Sequence, residues 1–273
     1  MPCRSARRQR GVTLVEMVIV ISITAVIAGA VAVFITRPIE SYADAARRAE
    51  LTDIADTALR RMARDLRTAL PNSVRTTTVG NVRYLEFLQT TGGGRYRAQV
   101  DSGGGGNALD FTAADATFDV IGALPALAAG DSIVVYNLNN SGAVANAYSG
   151  DNRAAYSSSA GSTITLSAAK LFPFSSPGNR FQVVQHAVTY ACDPDPGTRT
   201  LRRYWNYGIN AAQPTPPGAG SNALLATDVF ECSFTYTPGG AGGRYGVVSL
   251  EIRIQRDLEL IRLFQQVHVT NVP

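Results

Sequence analysis

The segment that decides the fold lies near the start of the chain, where residues 12–35 read VTLVEMVIVISITAVIAGAVAVFI. Glu16 is the only charged residue in this segment. As an α-helix it would rise about 36 Å, which is enough to cross a hydrocarbon core of about 30 Å. The segment therefore predicts a membrane-spanning helix over residues 12–36.

The residues that precede this segment are basic. Their arginines account for the whole formal net charge of +4: Arg4, Arg7, Arg8 and Arg10. By the positive-inside rule, they hold residues 1–11 in the cytoplasm and place the rest of the chain outside. Without residues 1–11 the chain carries no excess charge, so we predict no nucleic-acid partner.

An ordinary secretory signal is the alternative interpretation of this segment. Such a signal has an apolar region of about 7–15 residues, with the cleavage site after it. Ala28-Gly29-Ala30 has the small-x-small form of such a site, but the apolar run continues to Ile35. We therefore favour a retained helix and keep cleavage after Ala30 as the alternative.

Residues 10–16 read Arg-Gly-Val-Thr-Leu-Val-Glu. With the basic leader and the apolar run, they resemble the prepilin-type cleavage and methylation motif of type IV pilins and of type II secretion pseudopilins. In that family a prepilin peptidase cuts after the glycine and methylates the new N-terminus. The resemblance implies that Gly11 precedes the cut, that Val12 becomes the methylated N-terminus and that Glu16 is the fifth mature residue. Phenylalanine or methionine is commoner than valine at the position of Val12.

Glu16 has two interpretations. A carboxylate at the bilayer centre costs on the order of 2.5–3.5 kcal/mol, and less near the interface, where the side chain can reach the headgroups. Alternatively, Glu16 is a buried charge that pairs with the Val12 amine of a neighbouring subunit and sets the axial register of the apolar helices. Under this second interpretation Glu16 is the assembly residue, and the helix over residues 12–36 also forms a filament core.

A second helical pattern follows Pro38, which we expect to kink the helix. An amphipathic helix is predicted over residues 37–71, with Pro71-Asn72-Ser73 as its stop. Its apolar stripe consists of Leu51, Ala55, Leu59, Met62, Leu66 and Leu70. Charged residues fall mainly off this stripe: Arg47, Arg48, Arg60, Arg61, Arg64, Asp65 and Arg67. We interpret the arginines as a solvated face, with an anion site as the alternative.

Residues 72–273 are predicted to form an extracytoplasmic β-rich globular head. Its strand candidates are residues 82–88, 132–138, 163–166, 181–190, 201–207, 246–255 and 264–269. Ala191–Thr200 reads as a hairpin turn, and Gly92–Gly94 and Gly103–Gly106 read as loops. The predicted fold class is α+β, with a long N-terminal helix packed on an antiparallel β-sheet head that has a second β-rich region.

The cysteines favour an oxidising compartment. Removal of the leader also removes Cys3 and leaves Cys192 and Cys232. An even pair in an exported region predicts a disulfide, and two buried free thiols are the alternative. Neither cysteine lies in a zinc-ligand spacing.

No catalytic constellation is visible. His186 and His268 are the only histidines, and both fall in predicted strands without a nearby serine elbow or metal-ligand spacing. We therefore predict no enzyme activity, no cofactor and no metal site, although a calcium site in a loop stays open as an alternative.

Short stretches elsewhere in the chain narrow the resemblance to one group of pilins. They are similar to minor pilins of MSHA pilus biogenesis, the MshO group: residues 37–39, 49–51, 56–62, 188–193, 201–205, 232–236 and 266–273. Residues 90–180 resemble no family. The resemblance implies a minor pilin that spans the inner membrane once, with its head in the periplasm, and that later joins a pilus at the cell surface.

The partners that the resemblance implies are the prepilin peptidase, other major and minor pilins, the inner-membrane assembly platform and membrane lipid. Two alternatives in function stay open. The chain could be a minor pseudopilin of type II secretion, or a pilus-tip adhesin that binds a surface ligand through its glycine-rich middle region. An exported enzyme on a generic anchor is the least supported interpretation.

Overall fold

The computed structural model describes residues 11–142, 144–239 and 244–273, without the side chains of residues 36–40. It divides into an N-terminal unit, Met1–Glu50, and a distal unit, Leu51–Pro273. One helix, α1, runs from Leu14 to Leu66 and contributes to both units. Residues 1–10 of the basic leader lie outside the described residues, and the side chain of Pro38, where the sequence predicts a kink, lies outside the described side chains.

The rest of the distal unit is built from strands, and the α+β class is confirmed. The strands are β1 (Arg75–Val79), β2 (Val82–Tyr96), β3 (Asp115–Ile121), β4 (Ser132–Val135), β5 (Arg153–Ala160), β6 (Thr163–Lys170), β7 (Arg180–Asp193), β8 (Thr200–Trp205), β9 (Ser221–Ala226), β10 (Val229–Thr237), β11 (Tyr245–Arg256) and β12 (Glu259–Thr270). A nine-stranded sheet has the order β1-β2-β3-β6-β5-β4-β7-β8-β9, with an additional β2–β7 pairing. A three-stranded sheet has the order β10-β11-β12.

The predicted apolar stripe packs into the main core of the distal unit. Leu51, Ala55, Leu59, Met62 and Leu66 are at most 3% exposed. They share one buried cluster with side chains of both sheets, such as Leu85 and Val188 of the large sheet and Leu250 and Ile252 of the small one. The spacing of the stripe therefore predicts the buried face of the helix correctly.

The helix ends earlier than the sequence predicts. The amide of Thr68 bonds to the carbonyl of Asp65 instead of continuing the α-helical pattern, and the amide of Leu70 bonds to the carbonyl of Leu88 in β2. Leu70 is buried, but in a separate cluster with Leu88 and Tyr148. Pairing with β2 therefore removes residues 67–70 from the helix before Pro71 can act as a stop.

Six strands of the large sheet close into a ring. The pairings lead from β2 through β3, β6, β5, β4 and β7 back to β2. Each strand sends side chains into a second buried cluster, in which Phe118 lies against Phe181 with 5.6 Å between ring centroids. The middle of the chain is thus a small barrel-like body with its own core.

The glycine tract at residues 92–94 is part of β2, so its interpretation as a loop is wrong. It pairs with the start of β7, where Gly94 lies opposite Phe181. A Cβ on Gly93 would come within 2.7 Å of the Phe181 carbonyl oxygen, and one on Gly94 within 2.8 Å of the Phe181 ring. Glycine is therefore required here by a close approach within a strand.

Asp65 lies off the predicted apolar stripe but is buried. It is 4% exposed, and Arg203 Nε lies 2.7 Å from its Oδ2. The Tyr190 hydroxyl donates to the same oxygen at 2.8 Å. This ion pair joins the end of α1 to β7 and β8, and its partners lie far away in the sequence.

Candidate functional site

Gly11 and Val12 lie in an exposed, non-helical stretch immediately before α1. A Cβ added to Gly11 would meet no atom of the described residues within 4 Å, and Gly11 does not have the left-handed backbone conformation that requires glycine. Neither local packing nor backbone conformation therefore explains a glycine at this position.

Thr13 caps the helix. Its hydroxyl accepts a hydrogen bond from the Glu16 amide at 3.3 Å, and its carbonyl accepts one from the Met17 amide at 3.1 Å. The Thr-x-x-Glu spacing is that of a capping box, a signal that could have located the start of the helix in the sequence. Glu16 thus lies in the first turn, where its carboxylate interacts favourably with the positive end of the helix dipole.

The helix beyond Glu16 is apolar on all sides and uncovered. Leu14–Ile35 has a mean hydropathy of 2.9 and is long and apolar enough to span a membrane, and none of it is buried against the described chain. Its hydroxyl groups bond internally, Ser22 to the Val18 carbonyl and Thr24 to the Val20 carbonyl, each at 2.8 Å. Side-chain hydroxyls that bond within their own helix suit a surrounding without water.

The predicted site residues therefore fall into two groups. Gly11, Val12 and Glu16 lie within six residues at the start of α1. Cys192 in β7 and Cys232 in β10 form the predicted disulfide, with 6.4 Å between their Cα atoms. This bond joins the large sheet to the small sheet within the distal unit.

A second buried carboxylate is visible only in the structure. Glu86 in β2 is fully buried and accepts hydrogen bonds from Arg75 at 2.6 Å and from Thr189 at 3.1 Å. Burial raises the pKa of Glu86, and the Arg75 charge opposes that rise. Arg75 also donates to the carbonyls of Asn210 and Ala211, so this cluster ties β1, β2 and β7 to a loop.

His186 is the histidine with an altered environment. Its two ring nitrogens are buried without a hydrogen-bond partner among the described residues. Burial lowers its pKa, and the nearby Arg203 adds to that effect. Within the described ranges, no group of three or more His, Cys, Asp or Glu side chains is arranged to hold a metal ion.

One comparison with known proteins concerns the group formed by Gly11, Val12 and Glu16. Residues 6–32 match a family model described as the prokaryotic N-terminal methylation motif. No curated protein and no solved structure matches the chain. The matched residues include Gly11, Val12 and Glu16 and most of the uncovered helix, and together these observations support a type IV pilin-like protein.

Proposed function

We propose that this chain is a minor pilin of an MSHA-type type IV pilus. The prepilin peptidase cuts after Gly11 and methylates Val12. Helix α1 holds the chain in the inner membrane with the distal unit in the periplasm, and the subunit then enters the filament. The observation that carries this proposal is the methylation motif at residues 6–32, which includes most of the helical segment Leu14–Ile35 that no described residue covers.

The structure around Gly11 supports processing at this position. Gly11 and Val12 are exposed and precede the first turn of α1, so the helix does not enclose the bond between them. Since neither packing nor backbone conformation requires glycine at residue 11, we attribute it to recognition by the processing enzyme.

Glu16 acts through charge. Cleavage turns the Val12 nitrogen into a cation next to the positive end of the α1 dipole, which is an unfavourable arrangement. The Glu16 carboxylate in the first turn offsets this charge in the membrane. In the filament, the amine of one subunit pairs with Glu16 of the next, and this pair fixes the axial register of helices whose apolar surfaces do not specify one.

The patches in the sequence that resemble the MshO group support the MSHA assignment. In this assignment the chain is a structural subunit that helps to start or to end the filament. Its partners are the other major and minor pilins, the inner-membrane assembly platform and membrane lipid. Neighbouring reading frames that encode type II secretion components would contradict the pilus assignment but leave pilin-like processing intact.

Substitution of Glu16 tests the assembly role. Glu16→Ala and Glu16→Gln should leave cleavage and methylation intact, yet lower the recovery of partner pilins in a pull-down about tenfold, the equivalent of about 1.4 kcal/mol. Ser22→Ala is the control in the same helix, because among the described residues the Ser22 hydroxyl bonds to the Val18 carbonyl of its own helix and to nothing else. Piliation and recovery at the level of the control would contradict the role of Glu16.

A further inference from the structure

Strand β12 leaves one long edge of the small sheet open. It runs over Glu259–Thr270 and pairs with β11 alone among the described strands. In an antiparallel strand, every second residue points its N–H and C=O groups away from its partner strand. Such an edge is a template on which another extended chain can pair.

This edge lacks the usual protection. Its register with β11 is unbroken from the Tyr245–Thr270 pair to the Arg256–Glu259 pair, so no bulge turns it away. It contains no proline, and the guanidinium of Arg262 is bound to Glu251 at 2.8 Å. Two large apolar side chains on it, Leu260 and Phe264, are 49% and 57% exposed.

A cavity of about 440 Å³ opens beside the strand. One wall is the last part of α1, and the other is formed by Leu263, Phe264 and Gln265 of β12. Successive strand residues point to opposite faces of a sheet, so Leu263 and Phe264 can line the same cavity only where it meets the edge of the strand. The cavity is therefore continuous with the open edge.

The α1 wall of this cavity is positively charged. Arg60 is paired with Asp56 at 2.6 Å. Arg64 and Arg67 also line the cavity and are exposed, and their guanidinium groups make no hydrogen bond or ion pair within the described chain. Unpaired guanidinium groups bind carboxylates in a bidentate manner.

We propose that an extended, acidic segment of a partner protein adds as a strand along β12. Its backbone pairs with the open edge, its carboxylates bind Arg64 and Arg67, and an apolar side chain packs on Phe264. Strand addition supplies affinity through the main chain, and the flanking side chains supply specificity. A polypeptide fits better than another polyanion, because only a peptide backbone has donors and acceptors at the strand repeat. This surface does not depend on cleavage at Gly11.

Synthetic peptides of about ten residues, near the upper length of a typical strand, test the proposal on the full chain in detergent micelles. The acidic probe alternates glutamate with valine. A second probe replaces glutamate with lysine, and a third keeps glutamate but methylates alternate backbone nitrogens. We expect the acidic probe to bind at least about tenfold more tightly than either of the others, and to slow amide exchange within residues 259–270.

The R64E/R67E double variant should weaken binding of the acidic probe about tenfold. R95E/R180E is the control with the same change in charge, since Arg95 and Arg180 are exposed arginines of β2 and β7 that do not line the cavity. Equal binding of the acidic and lysine probes, or of the probes with and without methylated amides, would overturn the proposal. So would an oligonucleotide that binds as tightly as the acidic probe, or self-association of the chain that excludes the probe.

Discussion

Helix α1 has two apolar surfaces, of which one is exposed and the other is buried against the described chain. In Leu14–Ile35 the apolar side chains are uncovered, with Leu14 81% and Phe34 84% exposed. Between residues 51 and 66 the stripe is buried, with Leu51, Met62 and Leu66 at 0% exposure. A single stripe can be covered by one sheet, whereas a helix that is apolar all round cannot. The first surface therefore needs lipid or other helices, and the second is satisfied within the chain.

The largest expected effect comes from breaking the buried ion pair of the distal unit. Asp65→Ala leaves Arg203 buried without its carboxylate and should lower the free energy of unfolding by about 3–5 kcal/mol. Trp205, the only tryptophan, lies 4.8 Å from the Arg203 guanidinium, so its fluorescence during urea denaturation reports on this unit. Membrane extraction should not change.

Asp56→Ala is the matched control for this substitution. Asp56 pairs with Arg60 on the exposed side of the same helix, and its loss should cost less than about 1 kcal/mol. A destabilisation by Asp65→Ala no larger than that of the control would show that the buried pair contributes little.

Reduction of the disulfide should have the next largest effect. The Cys192–Cys232 bond encloses a sequence separation of 40 residues, for which the chain-entropy relation gives about 4 kcal/mol. Reductant should therefore lower the urea midpoint of the wild type and reveal two additional thiols. A C192A/C232A variant should show no response to reductant, and an unchanged thiol count in the wild type would disprove the bond.

A charge in the uncovered segment Leu14–Ile35 should affect membrane insertion and leave the stability of the distal unit unchanged. Val26 is 73% exposed and lies near the middle of the apolar segment, so Val26→Arg should disfavour membrane insertion by about 2.5–3.5 kcal/mol. The variant should move into the soluble fraction on alkaline extraction, with the urea midpoint of the distal unit unchanged. Val26→Leu should behave like the wild type, and full membrane retention of Val26→Arg would count against a lipid-facing segment.

The smallest expected effect is a pH dependence of the distal unit. Burial and Arg203 lower the pKa of His186, against the opposing charges of Asp131 and Asp65. The unfolded chain therefore binds a proton that the folded chain resists, and stability is lost as the pH falls through the unfolded pKa of about 6.5 toward the lowered pKa of the folded state. His186→Gln should flatten this fall in melting temperature, whereas His268→Gln, at an exposed position of β12, should not.

The helices and strands that could be predicted from the sequence are those whose own residues carry a recognisable apolar pattern. The helical stripe and strands such as β7 and β11 have apolar residues at the period of their own structure. Five strands were not predicted: β1, β3, β5, β9 and β10. Of these, β1, β5 and β9 have the sequences RTTTV, RAAYSSSA and SNALLA, which are largely exposed and carry little apolar pattern. The candidate ending at Leu138 was too long, because Tyr136 adopts a positive φ of 51° and β4 ends at Val135.

The features that escaped prediction depend on residues far apart in the chain. Gly94 could be recognised as a strand residue only through Phe181, and Asp65 as a buried residue only through Arg203. The closed ring of six strands depends on the β2–β7 pairing, which no local pattern encodes. The methylation motif was recognisable in the sequence because its residues lie in one short stretch, and the roles of Gly11, Val12 and Glu16 within it stay predictions.

The N-terminal mass of the protein extracted from membranes decides whether the chain is processed as a prepilin. We expect a single mature form that begins at Val12 and carries one methyl group on its amine. A chain that begins at Val31 would show that residues 12–30 are a removed secretory signal, and an intact N-terminus at Met1 would show that no processing occurs. Either of these results would contradict the account.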